Sequence, residues 1–168
     1  MKNKNIVLIG MSGAGKSTLG VLLAKALGKQ FLDTDLLIQQ KTGKLLQEIL
    51  DREGVDRFLE IEEQALLSVS VQNCVIATGG SAVYSQKAME SLSQNALVVY
   101  LEVDFESLSR RLSNITTRGI VFKGSGNLRA VYEERLPLYQ KYQTVTLNCS
   151  DTDIETAVKM LCETVSQF

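Results

Sequence analysis

Gly10-Met11-Ser12-Gly13-Ala14-Gly15-Lys16-Ser17 sets three glycines, a lysine and a hydroxyl in the order G-x-x-x-x-G-K-[ST]. That spacing suits a loop that wraps phosphate. Backbone N–H groups and the first turn of a following helix hold phosphate oxygens there. Lys16 would reach the β- and γ-phosphates of a nucleotide, and the Ser17 hydroxyl would bind Mg2+.

Other residues with the chemistry for transfer lie further along. Asp33 and Asp35 follow a short apolar run, Gln30-Phe31-Leu32. On an extended segment, spacing two points both carboxylates the same way. One would support Mg2+ through water and the other would orient a hydroxyl. The alternative is an acidic loop whose second Asp caps the next helix. Thr78-Gly79-Gly80 ends another apolar run, where glycines let a ligand approach backbone; an ordinary tight turn fits equally. Arg118 sits in a stretch without periodicity and would stabilise phosphate charge if that stretch closes. Histidine is absent, so proton transfer must fall to Asp, Glu, Lys or water. Asp51-Arg52-Glu53-Gly54 matches the D-x-x-G element of GTPases. It ends an amphipathic helix rather than a strand, and no N-K-x-D follows, so that reading fails.

These residues need strands and helices to hold them. Asn5 to Ile9 is a continuous apolar run, as in a buried parallel strand. Ser17 to Gly28 repeats leucine and alanine at helical spacing, with Gly28 at the expected C-cap. The pattern predicts helices over Leu36–Lys41, Lys44–Arg52, Asp56–Ser70, Ser85–Ser93, Asp104–Leu112, Asn127–Tyr142 and Asp153–Val165. Pro137 is expected to interrupt the sixth of these. Strands are predicted at Gln30–Leu32, Cys74–Ala77, Ala96–Leu101 and Val145–Leu147. Alternation of this kind argues for an α/β fold with a parallel sheet. Residues 113–126 are expected to form a lid.

The 168 residues suit a single domain over 1–168. A net charge of −1 disfavours a nucleic-acid surface, and no apolar stretch is long enough for a membrane. A cleaved leader would destroy the glycine loop, which implies a cytoplasmic protein. Cys74, Cys149 and Cys162 lack metal spacing and read as buried reduced thiols. No spare apolar face is evident, so a monomer is expected.

Taken together, several stretches resemble the shikimate kinase family. They are the loop through Thr18, Phe31-Leu32-Asp33-Thr34-Asp35, Thr42-Gly43-Lys44, Ile61-Glu62-Glu63, Gly79-Gly80, Arg118, and Glu134-Arg135-Leu136-Pro137-Leu138-Tyr139. The resemblance implies a P-loop kinase fold: a five-stranded parallel sheet flanked by helices on both faces, a lid, and a small substrate-binding subdomain over about 33–62. It implies phosphoryl transfer from MgATP to a ring hydroxyl of shikimate. Gly13, Ala14, Gly15, Lys16, Ser17, Thr18, Arg111 and Arg118 would bind the nucleotide, with Arg111 against adenine and Asn148 to Asp153 opposite. Ser17 would hold the metal directly and Asp33 through water. Asp35 would take the accepting hydroxyl, Gly79 and Gly80 would offer backbone, and Arg135 would bind the shikimate carboxylate.

Three departures bear on the acceptor. The family usually carries a carboxylate-binding arginine where this chain has Leu59, in Phe58-Leu59-Glu60-Ile61-Glu62-Glu63. Arg57 lies about 200° round a helix from position 59, so it is not a substitute. Ser81 replaces the third glycine, and Gly119 replaces the proline after the lid arginine. These changes leave open another hydroxylated small-molecule acceptor. A non-catalytic nucleotide-binding module is a third reading, against which Lys16, Ser17, Asp35 and Arg118 together argue.

Overall fold

The structure is a computed structural model that describes residues 4–113 and 127–168. The expected lid, with Arg118 and Gly119, lies outside the described residues. Five strands form one parallel sheet: β1 (Asn5–Ile9), β2 (Gln30–Asp33), β3 (Cys74–Ala77), β4 (Ala96–Glu102) and β5 (Val145–Asn148), in the spatial order β2-β3-β1-β4-β5. β1 is central because it is apolar on both faces, with Ile6 to Ile9 fully buried. In register, Leu8 lies beside Ala77, and Ala77 beside Asp33. The carboxyl ends of β1, β3 and β2 are therefore side by side, where ligands bind in open parallel sheets.

The helices are α1 (Lys16–Leu27), α2 (Thr34–Thr42), α3 (Leu46–Leu67), α4 (Gln86–Ser93), α5 (Phe105–Ser113), α6 (Leu128–Tyr142) and α7 (Ile154–Ser166). The β1-to-β2 crossover and the β2-to-β3 crossover run in opposite directions across the sheet. Right-handed connection therefore puts α1 on one face and α3 on the other. α7 packs on α1, while α4 and α6 pack on β4. The main core fills the space between these layers. A second, smaller cluster (Ile38, Ile49, Phe58 and Ala65) joins α2 to α3.

The helices expected over Lys44–Arg52 and Asp56–Ser70 run from Leu46 to Leu67 and are separated, as expected, by a non-helical kink at Gly54 (φ 80°, ψ 174°). Apolar side chains on both sides of the kink share the smaller cluster, which holds the two segments together. One helix expectation is corrected. Pro137 lies inside α6 and does not end it. Its lost backbone donor is outweighed by tertiary packing of Arg135 and Tyr139, one turn apart and both buried. A short 3-10 turn at Ala82–Tyr84 has no periodic signal in the sequence. Cys74 and Cys149 are buried and Cys162 half-buried, all free. Among the described residues no helix is long and apolar enough to cross a membrane.

Candidate active site

The glycine loop joins β1 to α1 at the centre of the sheet. Gly13 and Gly15 take positive φ, and Gly15 is the left-handed N-cap of α1. The loop therefore turns its amides toward the crevice at the helix head, where an anion is favoured. Lys16 is buried and its Nζ donates to the carbonyls of Gly10 (2.7 Å) and Met11 (2.8 Å). The ammonium is thus folded back along the loop it would serve.

A cleft of about 240 Å3 opens beside this loop, lined among others by Ser12, Lys16, Ser17, Asp35, Thr78 and Gly80. It brings together candidates from the ends of three strands. Asp33 and Asp35 do not share one face of an extended segment, because β2 passes straight into α2. Asp33 is the N-cap, and its Oδ1 accepts from the backbone N–H of Asp35 (2.9 Å) and of Leu36 (3.4 Å). The first aspartate, not the second, caps the helix. Asp35, in the first helical turn, is the one that faces the cleft.

Gly79 and Gly80 are crowded by functional side chains. A Cβ on Gly79 would lie 2.5 Å from Glu62 Oε1 and 2.8 Å from Asp35 Oδ1. One on Gly80 would lie 2.9 Å from Arg135 Nη1 and 3.0 Å from Ser12 Oγ. Only bare backbone fits between two carboxylates on one side and a guanidinium on the other. The Gly79 N–H donates to Thr34 Oγ1 (3.1 Å), and Tyr139 Oη donates to the Gly80 carbonyl (2.7 Å).

Arg135 is 1% exposed. Its Nε donates to Tyr84 Oη (3.2 Å), and its guanidinium lies 5.1 Å from the Tyr84 ring centre. A buried cation needs compensation. The carboxylate of Glu62 acts on it electrostatically from α3. Burial pushes the Tyr139 hydroxyl up, so it stays a neutral donor.

A second cavity, of about 250 Å3, runs along the far side of the loop past Gly13, Ala14, Gly15 and Thr18 to Arg111 and Asp153. One Nη of Arg111 donates to the carbonyls of Cys149 (2.6 Å) and Ser150 (2.7 Å). The two walls expected around adenine are thus tied together. Arg118 lies outside the described residues.

Glu62 was quoted in sequence only as part of a motif, yet it meets Asp35 at Gly79. It is 2% exposed, accepts from Ser81 Oγ at 2.6 Å through Oε2, and its Oε1 has no hydrogen-bond partner among the described residues. Burial pushes its carboxyl up to about 7, against the opposing pull of the Ser81 hydrogen bond. The signal was present: Phe58, Glu62, Ala65 and Leu66 form one helical stripe, so an acid sits on the apolar face. Gln39, which the sequence did not single out, also lines the cleft, as do Ser12 and Thr78, quoted only within their motifs. Leu59 is half-buried, packs on the small cluster, and shares a cavity of about 230 Å3 with Glu62, Ser81 and Tyr84. Arg57 faces outward to Glu60 (2.8 Å) and Glu53 (3.8 Å) and does not replace an arginine at 59.

Comparison with known proteins gives a consistent result. The family model described as shikimate kinase matches residues 12–166. A shikimate kinase of Marinomonas sp. (strain MWYL1) is 38% identical, over 88% of this chain and 84% of that protein. One from Thermobifida fusca (strain YX) is 34% identical, over 94% and 92%. The solved shikimate kinase from Acinetobacter baumannii in complex with shikimate is 33% identical, with a TM-score of 0.87, covering 98% of this chain and 94% of that one. A gluconokinase from Sinorhizobium meliloti 1021, 16% identical with a TM-score of 0.55, shares the fold alone.

Proposed function

The chain belongs to the shikimate kinase family, and on that premise we propose that it transfers the γ-phosphoryl group of ATP to a ring hydroxyl of shikimate, giving ADP and shikimate 3-phosphate. One arrangement carries the reading. Lys16, Ser17 and Asp35 line a single cleft, and Arg135 is buried behind Gly80 at its side.

Each residue then has a task. Backbone of the loop and the head of α1 bind the β- and γ-phosphates, and Lys16 exchanges its two carbonyl partners for phosphate oxygens. Asp35 orients the attacking hydroxyl and accepts its proton. Gly79 and Gly80 let the ring lie against backbone, and Arg135 receives the acceptor's carboxylate. Arg111 and the segment around Asp153 flank the base, and Arg118 closes on the phosphates from the lid. Mg2+ keeps waters and takes phosphate oxygens, so it needs few protein ligands. Ser17 would hold it, with Asp33 acting through water by the oxygen not used in the cap. When bound, the ion neutralises charge that builds between the β- and γ-phosphates. The reading includes work in the cytoplasm as a monomer.

An assay of ADP release with MgATP over a wide shikimate range tests this. Saturable, shikimate-dependent turnover supports it, and ATP hydrolysis that ignores shikimate sinks it. Leu59 favours one second reading: an acceptor with a neutral group where shikimate carries its carboxylate. Saturation by a neutral polyol, with shikimate inert in the same assay, would select that reading.

A further inference from the structure

Glu62 is buried with a second carboxylate, Asp35, acting on it, and Arg135 and Lys16 are the cations that offset them. In the family's usual pattern an arginine occupies the place of Leu59, three residues before Glu62 on the same helix face. Here a leucine fills that place and a serine has appeared at 81. The Ser81 hydroxyl fixes one oxygen of Glu62 at 2.6 Å, and the other oxygen is buried without a hydrogen bond among the described residues. Ser81 orients the carboxylate without neutralising it.

We propose that Glu62, oriented by Ser81 and unopposed by a cation at position 59, determines specificity for acceptor charge by taking up one proton when an anionic acceptor binds against Arg135. This rests on the acceptor site assigned above. The reasoning is electrostatic. A carboxylate arriving at Arg135 draws on the cation that compensates Glu62 and adds a like charge beside it. Asp35, beside Glu62 on the same side of Gly79, already adds negative potential there. Glu62 is the group poised to yield, because burial has brought its carboxyl to about 7. Among the described residues, these charged and titratable groups surround it. Asp35 faces it from α2, Arg135 from α6, Lys16 from the head of α1, and Tyr84 from the 3-10 turn across the shared cavity. On α3 itself Asp56, Glu60 and Glu63 line that cavity, and Glu63 accepts from Ser85 Oγ (2.6 Å). Lys41 of α2 and Lys87 and Glu90 of α4 are exposed.

The site therefore accepts an anion together with a proton, and a neutral acceptor without one. If Glu62 stays protonated in the complex, the Kd for shikimate rises about tenfold from pH 6 to pH 8, nearly all of it above pH 7. Leu59→Arg supplies the missing cation, keeps Glu62 ionised and flattens the profile.

The test is calorimetric titration of the whole protein with shikimate, in buffers of different ionisation enthalpy, at pH 6 to 8.5. Turnover is measured on the same samples. Wild type is expected to take up close to one proton per shikimate above pH 7.5. Glu62→Gln, which keeps an oxygen for Ser81, and Leu59→Arg are expected to take up none. Shikimate turnover with no proton uptake by wild type, or with equal uptake by Glu62→Gln, overturns the role of Glu62 and leaves the kinase reading intact. Neither binding nor turnover of shikimate at any pH overturns the acceptor assignment, and the proton-coupled anion with it. A second readout needs no ligand. A carboxyl raised in the folded state favours folding below its ordinary value near 4.5 and loses that contribution as pH rises through 7. The urea midpoint of wild type should fall across that window relative to Glu62→Gln. Parallel profiles would show that Glu62 does not titrate there.

Discussion

The two sides proposed above, one for phosphate and one for the acceptor, are built on different principles. The phosphate side is backbone: a glycine loop between the central strand and α1, set in the main core with Ile6 to Ile9 fully buried. The acceptor side is side chains. Asp35, Leu59, Glu62 and Arg135 come from three helices, and α2 and α3 are joined by a cluster of only four fully buried residues. Backbone amides bind phosphate only in the loop conformation that Gly10, Gly13 and Gly15 allow at positive φ, so the loop tolerates little change. A pocket made from side chains is re-specified by changing one or two of them. Leu59 and Ser81, the two departures among the described residues, both lie on the acceptor side.

The largest expected effects test whether the two sides meet at one reaction. Lys16→Ala should abolish measurable transfer, and Asp35→Asn should lower kcat by roughly 100- to 10,000-fold, as loss of a proton acceptor does. ATP affinity, measured by fluorescence titration, should fall in the first variant and hold in the second. Near wild-type turnover in either variant would break the assignment of both sides. Next comes Arg135→Met, which fills similar space without the charge. Losing one partner of a buried charge interaction costs about 2–5 kcal/mol, or about 30- to several-thousand-fold in shikimate kcat/KM. ATP affinity should be unchanged; a matching fall in ATP affinity would mean Arg135 supports the whole fold rather than the acceptor.

How much of each side could be read from the sequence follows from the same contrast. The loop, its flanking strand and the Gly28 C-cap were legible because local spacing determines them. The strands were legible because each is a short apolar run, within a residue or so of its observed ends. The acceptor side was legible mostly through family likeness. Periodicity could not show that Asp33 rather than Asp35 caps α2, since that depends on where β2 stops. Nor could it show that α6 runs through Pro137, because local propensity opposes this and tertiary burial overrides it. Glu62 was missed as a site residue although its place on an apolar stripe marked it. Its partner, Ser81, is far away in sequence and reaches it only after β3 is in place.

A smaller effect sharpens the comparison from the other direction. Leu59→Arg should lower the KM for shikimate about tenfold at pH 8 and leave ATP affinity alone, because a cation is restored where the carboxylate approaches. It should do much less at pH 6, where Glu62 is already protonated. An unchanged or raised KM at pH 8 would mean that the wall around Leu59 is shaped for a neutral group.

The smallest expected effect lies furthest from the chemistry. Gly54 holds the kink of α3 at φ 80° and ψ 174°, a conformation almost confined to glycine. A Cβ there meets nothing within 4 Å, so Gly54→Ala has no steric clash with neighbours and carries only the conformational cost, about 1–3 kcal/mol. The chain's response is either to keep the kink under strain or to straighten α3. Straightening would shift Phe58 and Leu59 against Ile38 and Ile49, and so move Glu62 relative to Ser81. On a chain of this size each kcal/mol lowers Tm by about 2–4 °C. The variant should therefore melt a few degrees lower, with shikimate KM raised a few-fold and ATP affinity kept. Equal losses for both ligands would show that strain in the small cluster reaches the central sheet, and that the two sides are mechanically one.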